Sequence, residues 1–366
     1  MYQILVLNLG GTSTKVAVYR DETCFAEKTL RHGPQDMSAH PTSREQVDYR
    51  AGMIMSWLQE LGLSMDDMDA LACRGCYIRE AKQSGTYLMN DALKERTLEI
   101  YFPDKPPVHG IPLILPVATK LLDGRDLPIY VTDPTSVDEK LPEACLSGTP
   151  AIVRLGRFHP LNQKAVARKV AASMGKKYEE CRFVVAHLGA GISVGAHRNG
   201  RVIDVNDVGQ GDGPFTPERA GSVPNGQLMD ICFSGQYTKD EVFKMLRGRG
   251  GVMGYLGTNN MQEVEERIAQ GDEKADLVFR AMALQIAKEI GACCATLEGK
   301  VDAIIITGGI AHSEKMTQAI TSYVGSFAPV KIVPGEFENE ALALGALRVL
   351  RGEIAPILFG QDVQDA

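Results

Sequence analysis

The stretch RFVVAHLGAGISVGAHRNGRVIDV, residues 182–205, decides the fold. Arg182 to Ala186 is an apolar run of strand length, HLGAG at 187–191 is a glycine turn, and Ile192 to His197 alternates as a strand does. Arg198-Asn199-Gly200 carries the Asn-Gly hairpin signature and returns the chain into a strand at Val202 to Val205. The same pattern occurs once before. Tyr2 to Leu7 reads as a strand, NLGGTSTK (8–15) opens on a glycine turn, and Lys15 to Tyr19 is β-branched and alternating. Asn8-Leu9-Gly10-Gly11 and His187-Leu188-Gly189-Ala190 hold equivalent places, and position 187 falls 179 after position 8 in a chain of 366. The repetition predicts two domains of one fold, each offering a glycine turn to a shared cleft.

The segments around these hairpins predict an α/β protein. Residues 43 to 62 carry helical spacing in Val47, Met53, Ile54, Trp57, Leu58 and Leu61, and stop at Gly62. Short strands are expected at Asp69 to Ala72 and Pro128 to Thr132, and a helix over 162–174 that Gly175 ends. A long helix is expected over 272–298, then strands at Asp302 to Thr307 and Val330 to Val333, and a helix from Glu340 to Leu350. Pro134, Pro142 and Gly148 punctuate the chain where the domains should part. The expected division is an N-terminal lobe of 1–140, on which a helix of about 341–366 packs back, and a C-terminal nucleotide-binding lobe of 141–340.

Composition narrows the function. Hydrophobic residues at 44% and charged residues at 23% are those of a soluble globular protein. A net charge of -7 with no basic run argues against nucleic-acid binding. No apolar stretch approaches ~18 residues, so no membrane span is expected, and Ile4 to Leu7 is too short for a secretory leader. Eight scattered cysteines suit a reducing cytoplasm. Cys73-Arg74-Gly75-Cys76 is an isolated C-x-x-C; without a second pair it predicts no zinc, although its spacing also fits a redox site.

The glycine turns carry the chemistry. A turn between strands leaves amides outward, and glycines let a phosphate approach them. Around the first turn, Thr12 and Ser13 add hydroxyls, Lys15 a positive charge, and Asn8 a group that can orient a phosphate oxygen or a metal-bound water. His187, Gly189, Ala190 and Gly191 form the second turn. TGGIAHS (307–313) places Gly308, Gly309 and Ile310 at the carboxyl end of a strand, where α/β proteins hold nucleotides. DGPFTPERAGSVP (212–224) is a fourth glycine-rich segment. Each alone also fits an ordinary polar turn; four in one chain without a Walker loop favour a nucleotide held between two lobes.

With these motifs in view, the sequence resembles the acetokinase family, and within it most closely butyrate kinases and branched-chain fatty-acid kinases. The residues that carry the resemblance are Asn8 to Lys15, FHPLNQKAVAR (158–168), HLGAGISVGAHRNGRVIDV (187–205), GPFTPER (213–219), YLGTNN (255–260) and EALALGALRVLRGE (340–353). The resemblance implies the duplicated ribonuclease-H-like fold shared with sugar kinases, actin and chaperone ATPases. It also implies a homodimer and a reversible phosphorylation of a short fatty acid by ATP with Mg²⁺, giving an acyl phosphate and ADP.

Carried over by position, it implies phosphate-loop roles for Asn8, Ser13 and Lys15, and a substrate-binding role for Arg74. Asp133, at the end of PIYVTD, matches the family's catalytic Asp, His159 the His of its Phe-His motif, and Arg219 its second catalytic Arg. His187 and its turn belong to the phosphate region, Glu340 matches a metal-associated Glu with Glu338 close by, and His109 matches a further active-site His. Gly11 stands where the family usually has Ser, and Ala190 where butyrate kinases usually have Gly.

A substrate carboxylate, with a reference pKa near ~4, is already ionised and needs no general base. Asp133 is therefore assigned to Mg²⁺ and its waters, with Asn8 and Glu340 assisting. Arg74 and Arg219 offset the repulsion between two anions, an effect worth ~10³ or more in rate for such arginines. His159 would donate to the equatorial oxygens of the transition state. The competing readings are a sugar or polyol kinase of the same superfold and a non-enzymatic ATP switch. The latter would carry an interaction domain, for which the short stretch after Leu350 leaves little room.

Overall fold

The computed structural model describes residues 1–361 apart from 79, 80, 82 and 108. The chain forms two compact units, Met1–Asp138 joined by the segment from Phe337 onward, and Glu139–Glu336.

The first unit is built on β1 (Gln3–Leu9), whose seven residues are all buried. That is why its sequence is nearly unbroken Ile, Leu and Val rather than alternating. β1 pairs antiparallel with β2 (Ser13–Arg20), which pairs antiparallel with β3 (Thr23–Arg31). On its other side β1 pairs parallel with β4 (Ala70–Cys73), which pairs parallel with β6 (Ile129–Thr132). β5 (Thr86–Leu88) and β12 (Ile357–Leu358) extend that edge. The crossover helix Ser43–Glu60 is capped by Thr42 and followed by Gly62 at φ +70. Its Val47, Ile54, Trp57 and Leu58 enter one core with Leu5, Leu7, Val16, Val18 and Leu71.

The second unit repeats the plan. β7 (Arg182–Leu188), β8 (Ile192–Arg198) and β9 (Arg201–Val205) form an antiparallel meander. β7 also pairs parallel with β10 (Ala303–Gly308), and β10 with β11 (Val330–Pro334). Thus β3-β2-β1-β4-β6 and β9-β8-β7-β10-β11 share one strand order with the same directions. Asn199 and Gly200, at φ +53 and +76, make the two-residue turn that joins β8 to β9. The helix Pro160–Ser173 precedes β7, and Gly175 at φ +69 follows it. The helix Glu273–Thr296 buries Phe279, Met282, Ile286 and Ile290 against the sheet.

Several segments differ from the sequence reading. Four helices between 225 and 269 were not foreseen: Asn225–Phe233, Lys239–Leu246, Gly251–Leu256 and Met261–Ala269. After Gly309 the chain makes one 3₁₀ turn, and the α-helix begins only at Glu314. The last helix is Glu338–Leu350 and does not run on through 366; the chain beyond it returns as β12. Residues 362–366 lie outside the described residues. Glu338 to Glu340 go with the first unit, because this helix packs as one piece on β1, β4 and β6. Gly345 makes that approach possible, since an added Cβ would stand 2.1 Å from Thr132 Oγ1.

Candidate functional site

In the first unit, β1, β4 and β6 run parallel and end on the same edge of the sheet. Asn8 lies near the end of β1, Arg74 follows β4, and Asp133 follows β6. The Arg74 amide donates to Leu7 O at 2.9 Å, which fixes the guanidinium beside Asn8. Arg74 Nη1 donates to Asn8 Oδ1 at 3.2 Å and lies 3.4 Å from Glu338 Oε2. Asn8 Nδ2 completes the triangle, donating to Glu338 Oε2 at 2.9 Å. Arg74 Nε is buried without a hydrogen-bond partner among the described residues, while the side chain as a whole remains partly exposed. Asp133 is fully buried and sits at φ +42, a strained backbone for a non-glycine residue.

The β1–β2 turn lies on this edge. Gly10 N donates to Ser13 O at 2.8 Å, and Gly11 and Thr12 are exposed. Lys15 is paired with Asn8 across the ladder and so shares its face of the sheet. Gly110 touches the turn so closely that a Cβ there would stand 2.2 Å from Leu9 O, which brings exposed His109 beside it. Of the two candidate glutamates, Glu338 is the one bonded to Asn8 and Arg74. Glu340, two positions on, also adds to the charge that raises the Tyr19 phenol, after burial and Cys24.

The second unit gathers its own set. The rings of His159 and His187 stack 4.0 Å apart, at 18° to each other. Asn162 Nδ2 donates to Thr307 Oγ1 at 3.2 Å and meets His187 Nδ1 at 2.8 Å. Thr307 Oγ1 gives its own proton to Gly335 O, so it must accept from Asn162, and this fixes the amide's orientation. His187 Nδ1 is then an acceptor, and its proton sits on Nε2, on the side of Gly189. His159 is set by a longer chain. Gln163 Nε2 donates to Ser193 Oγ at 2.8 Å, and Ser193 Oγ lies 2.8 Å from His159 Nδ1. With its Oγ bonded to Gln163, Ser193 still has a proton it can give to Nδ1, the arrangement that leaves the His159 proton on Nε2. Gln163 Oε1 is held by His197, whose burial, with Lys164 and Arg168 nearby, pushes its pKa well down and keeps it neutral.

Arg219 lies against the second glycine turn. A Cβ on Gly191 would stand 2.8 Å from Arg219 Nη1, so any side chain there would push the guanidinium aside. Thr216 Oγ1 donates to Ala190 O at 2.8 Å and accepts from the amide of Arg219 at 3.0 Å, which explains the PFTPER spacing. Arg219 Nη1 donates to Val208 O at 2.7 Å. Burial, followed by the charge of Arg247, lowers its pKa. Ala190 is not at positive φ, so alanine there costs no backbone strain.

The second turn and the end of β10 line one cavity of about 510 Å³, with Gly189, Ala190, Gly309 and Ile310 on its wall. Gly308, at φ +91, lets β10 close on Leu188, where a Cβ would stand 2.4 Å from the carbonyl oxygen. The volume suits a nucleoside. Asn259, Asn260, Gln262, Glu265 and Ser313 also line it and were missed by sequence reading. YLGTNN (255–260) was the signal for the first two, although neither residue type announces a ligand.

Among the described residues no three His, Cys, Asp or Glu side chains gather as a metal cage. The oxygen donors of Asn8, Glu338 and Asp133 still suit Mg²⁺, which takes one or two carboxylates and leaves its remaining positions to water and phosphate. The C-x-x-C does not read as a redox site. Cys73 and Cys76 are both buried, and burial pushes both thiols far above their usual pKa. No described helix is long and apolar enough to cross a membrane.

Residues 141–328 match the model of the acetokinase family. A protein named probable butyrate kinase, from Listeria welshimeri, is 44% identical over 351 residues, covering 96% of this chain and 98% of its own. An acetate kinase from Porphyromonas gingivalis shares the fold at a TM-score of 0.79 and 19% identity, with 96% of this chain and 100% of that one covered. A propionate kinase from Francisella tularensis does so at 0.72 and 19%, with 94% and 99% covered. Two units of one strand order, each with a glycine turn after its first strand, together with these matches, place the chain in the acetokinase family.

Proposed function

We propose that the protein transfers the γ-phosphoryl group of ATP, reversibly, to the carboxylate of a short-chain fatty acid, butyrate or a branched relative. A carboxylate oxygen bonds to the γ-phosphorus, the bond to the β–γ bridging oxygen breaks, and ADP leaves. The near-full-length match to the Listeria protein carries this reading.

The residues support it in chemical terms. A fatty acid is ionised near neutral pH, so no side chain has a proton to remove. Arg74, whose side chain is partly exposed, offers its guanidinium to the acid's carboxylate, while Nη1 stays on Asn8 and Glu338. Arg219 pairs with the phosphoryl group, and the His159 Nε2 proton is directed to its oxygens. Gly10 to Ser13 with Lys15 receive phosphate, and the cavity beside Gly189 and Ile310 receives the nucleoside. When bound, Mg²⁺ would neutralise phosphate charge, held by Asp133 and Glu338 with Asn8 assisting. Hydroxylamine trapping with ATP, Mg²⁺ and acids from acetate to valerate tests the reading. The strongest hydroxamate colour is expected with four- and five-carbon acids. ATP consumed with sugars and no hydroxamate would favour the sugar-kinase reading instead.

Gly11 bears on efficiency. It has no left-handed φ, and a Cβ there would meet nothing within 4 Å, so the fold does not require glycine. Gly11→Ser is expected to leave the melting temperature unchanged. It should lower the KM for ATP about 3- to 10-fold, the worth of one added hydrogen bond. Steady-state kinetics with a melting curve checks both.

The working form is proposed to be a homodimer through the second unit. The helix Asn225–Phe233 has no buried residue, yet carries Met229 and Phe233, the latter 85% exposed. Exposed Ile152 and Val153 share a hollow of about 680 Å³ with Leu228 of that helix, which adds apolar surface beside it. A second copy of the same patch would cover it, since two-fold interfaces are self-complementary. Phe233→Glu is expected to give a folded monomer in light scattering; an unchanged mass would exclude this face. The eight cysteines are all free, which supports a reducing, cytoplasmic setting.

A further inference from the structure

Arg50, on the helix Ser43–Glu60, is 1% exposed. A buried guanidinium ordinarily faces a carboxylate. Among the described residues Arg50 forms no ion pair and its Nε has no hydrogen-bond partner; most of its Nη donors go to the first glycine turn instead. Nη1 donates to Gly10 O at 3.0 Å, Thr14 Oγ1 at 3.0 Å and, more weakly, Ser13 O at 3.4 Å. Nη2 donates to Gly11 O at 2.8 Å and Gln46 Oε1 at 3.2 Å. Burial lowers its pKa to about 10, so it remains charged at neutral pH.

The peptide geometry gives this arrangement a consequence. In a planar trans peptide, a carbonyl and the following N–H point in opposite directions. Arg50 holds the carbonyls of Gly10 and Gly11 inward, and the His32 amide holds that of Thr12 at 2.9 Å. The amides of Gly11 and Thr12 are thereby turned away from Arg50, as an anion-binding nest requires. The Thr14 hydroxyl accepts from Arg50 and lies 2.9 Å from His32 Nε2, tying the support together.

We infer that Arg50 is a positioning residue for phosphate binding: it presets the β1–β2 turn and leaves its own charge for a bound phosphate to neutralise. This rests on the proposed use of that turn for nucleotide phosphate. The test compares Arg50→Lys and Arg50→Met with the wild-type protein by thermal melting, calorimetry with ADP, and separate KM and kcat measurements. Lysine keeps the charge but cannot span two carbonyls. Both variants are expected to melt cooperatively, to raise the KM for ATP and the Kd for ADP about tenfold or more, and to leave the KM for the acid nearly unchanged. Methionine should be the worse of the two. Folded variants with wild-type ADP affinity and KM for ATP would overturn the inference. So would variants that fail to fold even with ADP, which would make Arg50 a core element only. If the wild-type protein binds ADP but phosphorylates no acid, the proposed reaction fails, and the calorimetric comparison still decides Arg50.

Discussion

Replacing Arg219 by alanine is expected to lower kcat by about 10³-fold or more while the protein stays folded. The loss should be large because the guanidinium lies against Gly191, within the turn assigned to phosphate, and forms no ion pair among the described residues. It is also held near a second cation, Arg247, whose charge joins burial in lowering its pKa. A site that keeps two cations close and one of them half-buried is relieved when an anion arrives, and the transferring phosphoryl group carries the most negative charge available. The fold should tolerate the change. Thr216 is bonded to the backbone of residue 219, and these bonds survive any side chain there. Only the donation to Val208 O is lost, about 1 kcal/mol. Arg219→Lys should recover part of the rate, since it keeps the charge but not the planar fork. A variant with unchanged melting and near-wild-type kcat would remove Arg219 from the chemistry.

What was legible beforehand follows from how local each feature is. The two hairpins could be read because Asn199-Gly200 and the alternation on either side of the glycine turns are decided within a few residues. His159, His187 and Arg219 could be named from motifs, since FHP, HLGAG and PFTPER keep their spacing in one stretch of chain each. Arg50 could not. It stands on an amphipathic helix among Gln46, Val47 and Ala51, where an arginine reads as a solvated residue, and only the fold shows it turned into the glycine turn. The choice between Glu338 and Glu340 has the same origin. Two glutamates two positions apart on one helix point in different directions, and which one meets Asn8 depends on how the helix packs across β1, β4 and β6. Ser193 and Gln163 were invisible for a third reason, because their part is to hold His159 through a hydrogen-bonded chain that the fold closes between residues distant in sequence.

Asp133→Asn is expected to lower kcat by about 10²-fold or more and to raise the Mg²⁺ concentration needed for half-maximal activity. The substitution isolates charge. Asparagine matches aspartate in size and tolerates the φ of +42 found there, and the backbone bond from residue 133 to Gly85 O does not involve the side chain. Any large effect must then come from the lost carboxylate. A general base and a metal ligand make different predictions for that loss. Removing a base leaves the Mg²⁺ requirement in place and changes the pH profile, and it would imply a hydroxyl acceptor, because a carboxylate has no proton to give up. Removing a ligand shifts the Mg²⁺ curve and leaves the pH profile in shape. Paired controls sharpen the distinction: Glu338→Gln should shift the Mg²⁺ curve in the same direction, since Glu338 is bonded to Asn8 and Arg74 on the same edge, whereas Glu340→Gln should not. A Mg²⁺ curve unmoved in Asp133→Asn, with only the pH optimum displaced, would return Asp133 to the role of base and turn the acceptor from an acid into an alcohol.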